Sequence, residues 1–242
     1  MAVSVITAQL SWEDLPGLFP GLPEPGRWLP LLQGHAAALD GAADRVRVMS
    51  VPPAEAVQRQ WAESLEVVRL AGAVAPGAVW VDVGSGGGFP GLVAAIVLPA
   101  VTMHLVEPLQ KRARLLEEIS ASLGLGNVTV HAQRGEEACH GSLRGAADIV
   151  TARAVAELRE LLEYTAPFAA EGGRLLFPKG SAFDGELAAA GRARDLLGCE
   201  LIAVEDFRPE VSSHLRLATF RRHGPIPAAY PRRAGVPAKR PL

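Results

Sequence analysis

The sequence predicts an α/β fold: a doubly wound, mostly parallel sheet ending in an antiparallel pair of strands, with a small helical extension in front. Three observations carry this. From Ala78 onward, β-rich runs alternate with segments of helical period. The first run, Val79 to Val83, passes directly into Gly84-Ser85-Gly86-Gly87-Gly88-Phe89 and then Pro90, the pattern of a strand, a tight turn and a helix start. The last two β-rich runs have no helix between them, which makes them antiparallel neighbours.

Residues 1 to about 30 are interrupted by Pro16, Pro20, Pro23, Pro25 and Pro30, so an irregular lead-in is expected, with at most one short helix around Trp12. Helices are expected over Trp28 to Leu39 and Pro53 to Leu70, the second with Val57, Trp61, Leu65 and Val68 on one face. A junction at Ala71 to Gly77 leads to the first strand and a helix over Pro90 to Leu98. Val101 to Val106 is the second strand, and Leu109 to Leu123 a helix stopped by Gly124. Asn127 to His131 and Asp148 to Thr151 are strands three and four. Val155 to Phe168 is helical, Gly172-Gly173 turns into a strand over Arg174 to Phe177, and Leu187 to Leu197 is helical. Leu201 to Val204 and Leu215 to Arg221 close the sheet. The resulting division is an extension over 1–75, the α/β domain over 76–223 and a tail over 224–242.

Hydrophobic content of 49% supplies a core for a chain of 242 residues. No apolar run reaches the roughly 18 residues of a membrane span. No basic-then-apolar leader is visible, so a cytoplasmic protein without a membrane partner is expected. Cys139 and Cys199 lack paired spacing and the six histidines form no H-E-x-x-H, so neither a metal site nor a disulfide framework is expected. Net charge is −2, unevenly placed: seven basic residues and no acid follow Glu210, against 17 basic and 26 acidic residues up to and including it. Such asymmetry points to a polyanion docking at one end.

Ligands of open α/β sheets bind at the carboxyl ends of the strands. The glycines at 84, 86 and 88 permit positive φ and close backbone approach, and the N–H groups of the following helix start face the turn. A dinucleotide G-x-G-x-x-G counted from Gly84 places its third glycine on Phe89, so that motif fails. What stands is acid-x-Gly-x-Gly-x-Gly from Asp82. Glu107 ends the second strand, where a carboxylate accepts from the two ribose hydroxyls of a nucleoside. Gln133 to Glu137 follow the third strand, within reach of an adenine edge; on their own, Glu136 and Glu137 also suit a solvated first helical turn. Arg153 follows the fourth strand, and Lys179-Gly180 ends the fifth. No (Asn/Asp)-Pro-Pro-aromatic segment follows the fourth strand and neither cysteine follows a proline, so amine and pyrimidine C5 methylation signatures are absent.

Asp82 to Gly88 resembles motif I of the class I S-adenosylmethionine (AdoMet) methyltransferases. More narrowly, the chain resembles the small-subunit rRNA methyltransferase G family from about residue 55 to its end. The resemblance rests on Asp82-Val-Gly-Ser-Gly-Gly-Gly-Phe-Pro-Gly91, on Glu107 through Lys111-Arg112, on Arg134-Gly-Glu-Glu137, on Thr151-Ala-Arg-Ala154, on Lys179-Gly180 and on the ending from Tyr230-Pro-Arg to Pro241-Leu242. It implies a Rossmann-like class I methyltransferase sheet and AdoMet as cofactor. The implied activity is methylation of guanine N7 in bacterial 16S rRNA, near nucleotide 527. It also implies that Gly84, Gly86, Phe89, Glu107, Gly135, Glu136 and Arg153 form the cofactor site. Lys179, Arg232, Arg233, Lys239 and Arg240 then take the RNA, as naked 16S rRNA, a 30S subunit or an assembly intermediate, bound by a monomer. On this division of labour, removing 230–242 weakens RNA binding and leaves AdoMet binding intact. Two segments depart from the family pattern. Arg59-Gln-Trp-Ala-Glu-Ser-Leu65 replaces Arg-His-x-x-Asp-Ser-Leu, and Val48-Met-Ser-Val51 replaces an Asn-Leu-Thr segment. Both are expected to bear on RNA contacts and not on the cofactor. The competing readings are an NAD-dependent oxidoreductase, disfavoured by the failed third glycine, and a non-catalytic rRNA-binding assembly factor, disfavoured by the intact turn with Glu107 and Arg153.

Overall fold

In the computed structural model, which describes residues 9–48 and 51–242, a seven-stranded sheet forms the centre. Its strands are β1 Val79–Val83, β2 Thr102–Val106, β3 Val128–His131, β4 Ala147–Thr151, β5 Ala169–Lys179, β6 Cys199–Asp206 and β7 Arg216–Arg222, in the order β3-β2-β1-β4-β5-β7-β6. Only β7 runs against the rest, pairing antiparallel with both β5 and β6. The order reverses between β1 and β4, so the crevice of the fold opens beyond Val83 and Thr151.

Alternation along β1 assigns its side chains to two cores. Trp80 joins one with α1 Asp14–Leu18, α2 Pro25–Gly41, α3 Glu63–Ala71, α4 Gly91–Val97 and α5 Gln110–Ser122; Leu15, Trp28, Leu32, Trp61 and Leu65 lie in it. Val81 and Val83 join the other, with α6 Gly135–Ala138, α7 Leu158–Thr165, α8 Phe183–Ala189 and α9 Gly191–Leu197. The last helix is α10, Val236–Lys239. The N-terminal helices therefore cover one face of the sheet and share its core. Each fully buried Trp or Leu there contributes about 1.5–3 kcal/mol.

Several boundaries differ from the sequence-based ones. The second helix starts at Pro25 and runs through Pro30, whose ring costs it only a bond to the carbonyl of exposed Gly26. The Pro53 to Leu70 segment is three kinds of helix in series: a 3-10 turn Pro53–Glu55, a π-helix Val57–Ala62, then α3. The fourth-strand connection is longer, since Glu157 in extended conformation delays α7 to Leu158. Gly172-Gly173 lies inside β5, where the register against β4 jumps between Ala147↔Ala169 and Ile149↔Arg174. The expected Leu187 to Leu197 helix is divided at Ala190 into α8 and α9.

A buried polar chain joins β1 to β4. Trp80 Nε1 donates to Thr151 Oγ1 at 3.0 Å, and Thr151 Oγ1 donates to Asp82 Oδ1 at 2.6 Å. Asp82 is buried, and burial raises its pKa against the pull of Thr151 and the glycine turn. Thr151→Val removes both bonds and leaves an acid and an indole N–H without this partner. It is expected to cost about 2–4 kcal/mol in denaturant unfolding.

Candidate active site

The glycine turn leaves β1 with φ of +75° at Gly84, +56° at Gly86 and +94° at Gly88. This region favours glycine. The turn is tied to the neighbouring strand: the amides of Gly84 and Ser85 donate to Val106 O at 2.8 and 3.2 Å. Glu107, buried at the end of β2, accepts the Gly86 amide on Oε2 at 2.8 Å and the Leu109 amide on Oε1 at 2.9 Å. Each carboxylate oxygen thus keeps further acceptor capacity. Where α4 begins, a Cβ on Gly91 would stand 2.5 Å from Asp82 Cβ and 2.6 Å from Leu105 Cδ2, so only glycine lets this helix sit so close to the sheet.

The N-terminal helices hold the same turn from the other side. His35 of α2 is fully buried; its Nε2 pairs with Gly87 O at 2.8 Å and its Nδ1 with Trp61 Nε1 at 3.3 Å. The indole can only donate, so Nδ1 accepts and Nε2 carries the proton. Burial pushes the His35 pKa down to about 4, against the opposing pull of Gly87 O. Phe89 sits 5.0 Å from the His35 ring and 5.2 Å from the Trp61 ring, and the Arg153 guanidinium lies 5.3 Å from the Phe89 centroid.

Arg153 follows β4 and reaches across to the π-helix. Its Nη1 donates to Arg59 O at 3.0 Å and lies 3.4 Å from Glu63 Oε2, while Nη2 donates to Gln60 Oε1. Burial raises the Glu63 pKa to about 7, in spite of Arg153 and Arg59. The two residues that depart from the family pattern, Gln60 and Glu63, therefore hold Arg153 itself; their effect is not confined to the RNA side. Of the second departing segment, Met49 and Ser50 lie outside the described residues.

Two cavities meet at Gly84. A cleft of about 580 Å³ is lined by Gly84 to Gly87, Phe89, Gln60, Glu63, Arg112, Arg153 and Lys179, among others. A smaller one of about 240 Å³ is lined by Val83, Gly84, Pro108, Gly135, Glu136, Tyr164, Gly235 and Ala238. The structure thus gathers Gly84, Gly86, Phe89 and Arg153 around the first, with Gly135 and Glu136 in the second. Glu107 is not among the residues lining either one, but its carboxylate holds the Gly86 amide at the wall of the first.

The basic residues assigned to RNA divide differently. Lys179 is buried at the cleft wall, its Nζ 2.6 Å from Glu186 Oε2 and bonded to Ala156 O, so its charge is already matched. Arg232 binds Glu163 with Nε and Nη2, at 2.8 and 2.6 Å, and Glu163 is fully buried. Neither is free to take a phosphate: releasing Arg232 would strand buried Glu163, and Lys179 is itself buried against Glu186. Arg233, Lys239 and Arg240 are exposed. The tail as a whole is docked: Pro237 is buried, Arg144 donates to Tyr230 O, and the Gly235 amide donates to Glu136 Oε1 at 3.2 Å. Sequence reasoning missed His35, Trp61, Gln60 and Glu63 as parts of the site. Trp61 was visible as a core position, and the departing Arg59 to Leu65 segment was the one signal for Gln60 and Glu63.

Residues 32–215 match the family model GidB, described as rRNA small subunit methyltransferase G. The chain belongs to this family. Its ribosomal RNA small subunit methyltransferase G relative from Symbiobacterium thermophilum is 41% identical over 197 residues, covering 78% of this chain and 80% of the relative. The Roseiflexus castenholzii relative is 45% identical over 163 residues, or 67% and 70% of the two chains. Among solved structures, the geranyl diphosphate C-methyltransferase of Streptomyces coelicolor shares the fold, with a TM-score of 0.52 at 14% identity over 66% of this chain and 78% of that one. A second fold neighbour from M. jannaschii, crystallised with AdoMet, has a TM-score of 0.54 at 14% identity over 74% and 78%. The family membership, the seven-stranded sheet and its single antiparallel strand agree with the sequence-based expectation. Among the described residues no helix is long and apolar enough to cross a membrane.

Two outcomes are expected from this geometry. His35 protonates near pH 6.5 when unfolded and near 4 when folded, so folding stability falls as pH drops through that window. The loss amounts to about 3 kcal/mol, and urea unfolding of His35→Gln between pH 7 and 4 lacks that part of the slope. Deleting 230–242 opens the smaller cavity and orphans Glu163. Calorimetric titration with S-adenosylhomocysteine is expected to show about tenfold weaker binding or worse, contrary to the division of labour read from the sequence.

Proposed function

We propose that this chain transfers a methyl group from AdoMet to N7 of a guanosine in small-subunit rRNA, the nucleotide near 527 of 16S rRNA. The family match over residues 32–215 carries this reading, because it spans the glycine turn, Glu107 and Arg153. The residues present fit the cofactor. Three positive-φ glycines bring the backbone to the cavity wall, and the Glu107 oxygens keep lone pairs for a diol. Glu107 would hold the ribose, the Gly135-Glu136 side the adenine, and the cleft beside Phe89 and Arg153 the amino-acid end. AdoMet, when bound, supplies an electrophilic methyl group on a sulfonium.

The protein's task is then alignment and water exclusion. A guanine N7 lone pair is already nucleophilic, so no side chain need remove a proton, and in-line placement supplies most of the rate. A covalent cysteine route is closed: Cys139 and Cys199 are buried, and burial pushes their thiols up to about 11 and about 12. Exposed Arg59 and half-buried Arg112 at the cleft, and exposed Arg233, Lys239 and Arg240 on the docked tail, are the cations nearest to hand for RNA phosphates. We read the acting species as a cytoplasmic monomer on a 30S particle or its precursor.

The test is to incubate the protein with radiolabelled AdoMet and 30S subunits lacking 7-methylguanosine, digest the rRNA, and identify the labelled nucleoside. Label in 7-methylguanosine is expected. Label in another nucleoside overturns the N7 assignment. Naked 16S rRNA in a parallel reaction decides which form of the substrate is used.

A further inference from the structure

Five ion pairs among the described residues bury at least one partner almost completely, and four are closed: Lys179–Glu186 and Arg232–Glu163 at 2.6 Å, and Arg69–Glu66 and Arg208–Glu66 at 2.7 Å. The fifth is slack. Arg153 Nη1 and Glu63 Oε2 stand 3.4 Å apart, beyond the 2.7–2.9 Å of a good charge-assisted bond. Both residues line the cleft beside the glycine turn. Arg153 Nε has no hydrogen-bond partner among the described residues, so the edge formed by Nε–H and the second Nη2 hydrogen remains open.

The backbone at each pole is irregular. Ala154, next to Arg153, has a φ of +56°, and Glu63 follows directly on a π-helix. Left-handed non-glycine residues and π-helical turns carry a conformational cost and concentrate at functional sites. Here they bring a cation from the β4 end and an anion from the N-terminal helices to the same wall. Gln60 and Arg59 O fix the guanidinium from behind, and Phe89 supports its face. A slack pair of opposite charges is complementary to a ligand that carries both signs a few ångströms apart.

We propose that Arg153 and Glu63 are the two poles that seat the zwitterionic amino-acid end of the cofactor, the guanidinium taking its carboxylate and Glu63 its ammonium, with Gln60 as a positioning residue for Arg153. The proposal rests on the AdoMet reading above and adds a binding role for Glu63. It also gives the two departures from the family pattern a common site of action.

Two product-side ligands test it by calorimetry. S-adenosylhomocysteine carries the amino acid, and 5′-methylthioadenosine keeps the adenosine and thioether without it. Wild type is expected to prefer S-adenosylhomocysteine by tenfold or more, on the order of one charge-assisted bond per pole. Glu63→Gln and Arg153→Gln are each expected to weaken S-adenosylhomocysteine about tenfold while methylthioadenosine stays within about twofold. Unchanged methylthioadenosine binding certifies the fold, and Glu63→Asp, which keeps the charge, retains most of the preference. Equal weakening of both ligands, or no change in either, overturns the two-pole assignment. A wild-type protein that binds neither ligand removes the cofactor reading itself, and this proposal with it.

Discussion

The neutral imidazole of His35 is the contact on which the arrangement of the site depends. Four glycines in this turn, three of them with positive φ, offer no side chains to define its path, so its carbonyls and amides must be fixed largely by neighbours. Val106 and Glu107 take the amides of Gly84, Ser85 and Gly86, and His35 takes the carbonyl of Gly87. A charged imidazole could not accept the Trp61 N–H, and burial excludes that charged form down to about pH 4. One histidine on α2 thereby ties the extension, the π-helix and the glycine turn into one unit.

The same constraint explains why the extension shares the core of the sheet. Phe89 belongs to the turn, yet its neighbours are His35 and Trp61 from the extension and Arg153 from beyond β4. Removing water from these groups strengthens the hydrogen bonds that fix the turn, and it makes any unmatched charge among them costly. Among the described residues these buried charges are accordingly matched, Glu66 by Arg69 and Arg208, Glu163 by Arg232 and Lys179 by Glu186, while buried Asp82, Glu107 and Glu136 hold hydroxyl or amide donors instead. The Arg153–Glu63 pair is the looser exception, and it faces the cleft.

Pairing also accounts for the tail. The seven positive charges after Glu210, three on β7 and four on the tail, read in sequence as an arm for a polyanion, but Arg216 binds Asp184, Arg222 binds Ala169 O and Arg232 binds Glu163. A planar guanidinium with five donors forms such internal bonds readily, and a sequence does not record which arginines are consumed by them. What stays on the surface is Arg221 of β7, with Arg233, Lys239 and Arg240 on the tail, whose Gly235 and Ala238 line the smaller cavity.

The sequence by itself determined the strand–helix alternation, the antiparallel last pair, the glycine turn and the acid that ends β2, because each is set by local periodicity, by the φ that glycine permits or by the position of a residue at a strand end. It also contained the family pattern. Only the tertiary structure decided that His35 and Trp61 grip the turn, that Gln60 and Glu63 meet Arg153 from 93 and 90 residues away, and that Lys179 and Arg232 are spent on internal carboxylates. Contacts between segments so far apart follow from how helices pack on the sheet. The burial that packing creates determines whether a charge is free, paired or suppressed.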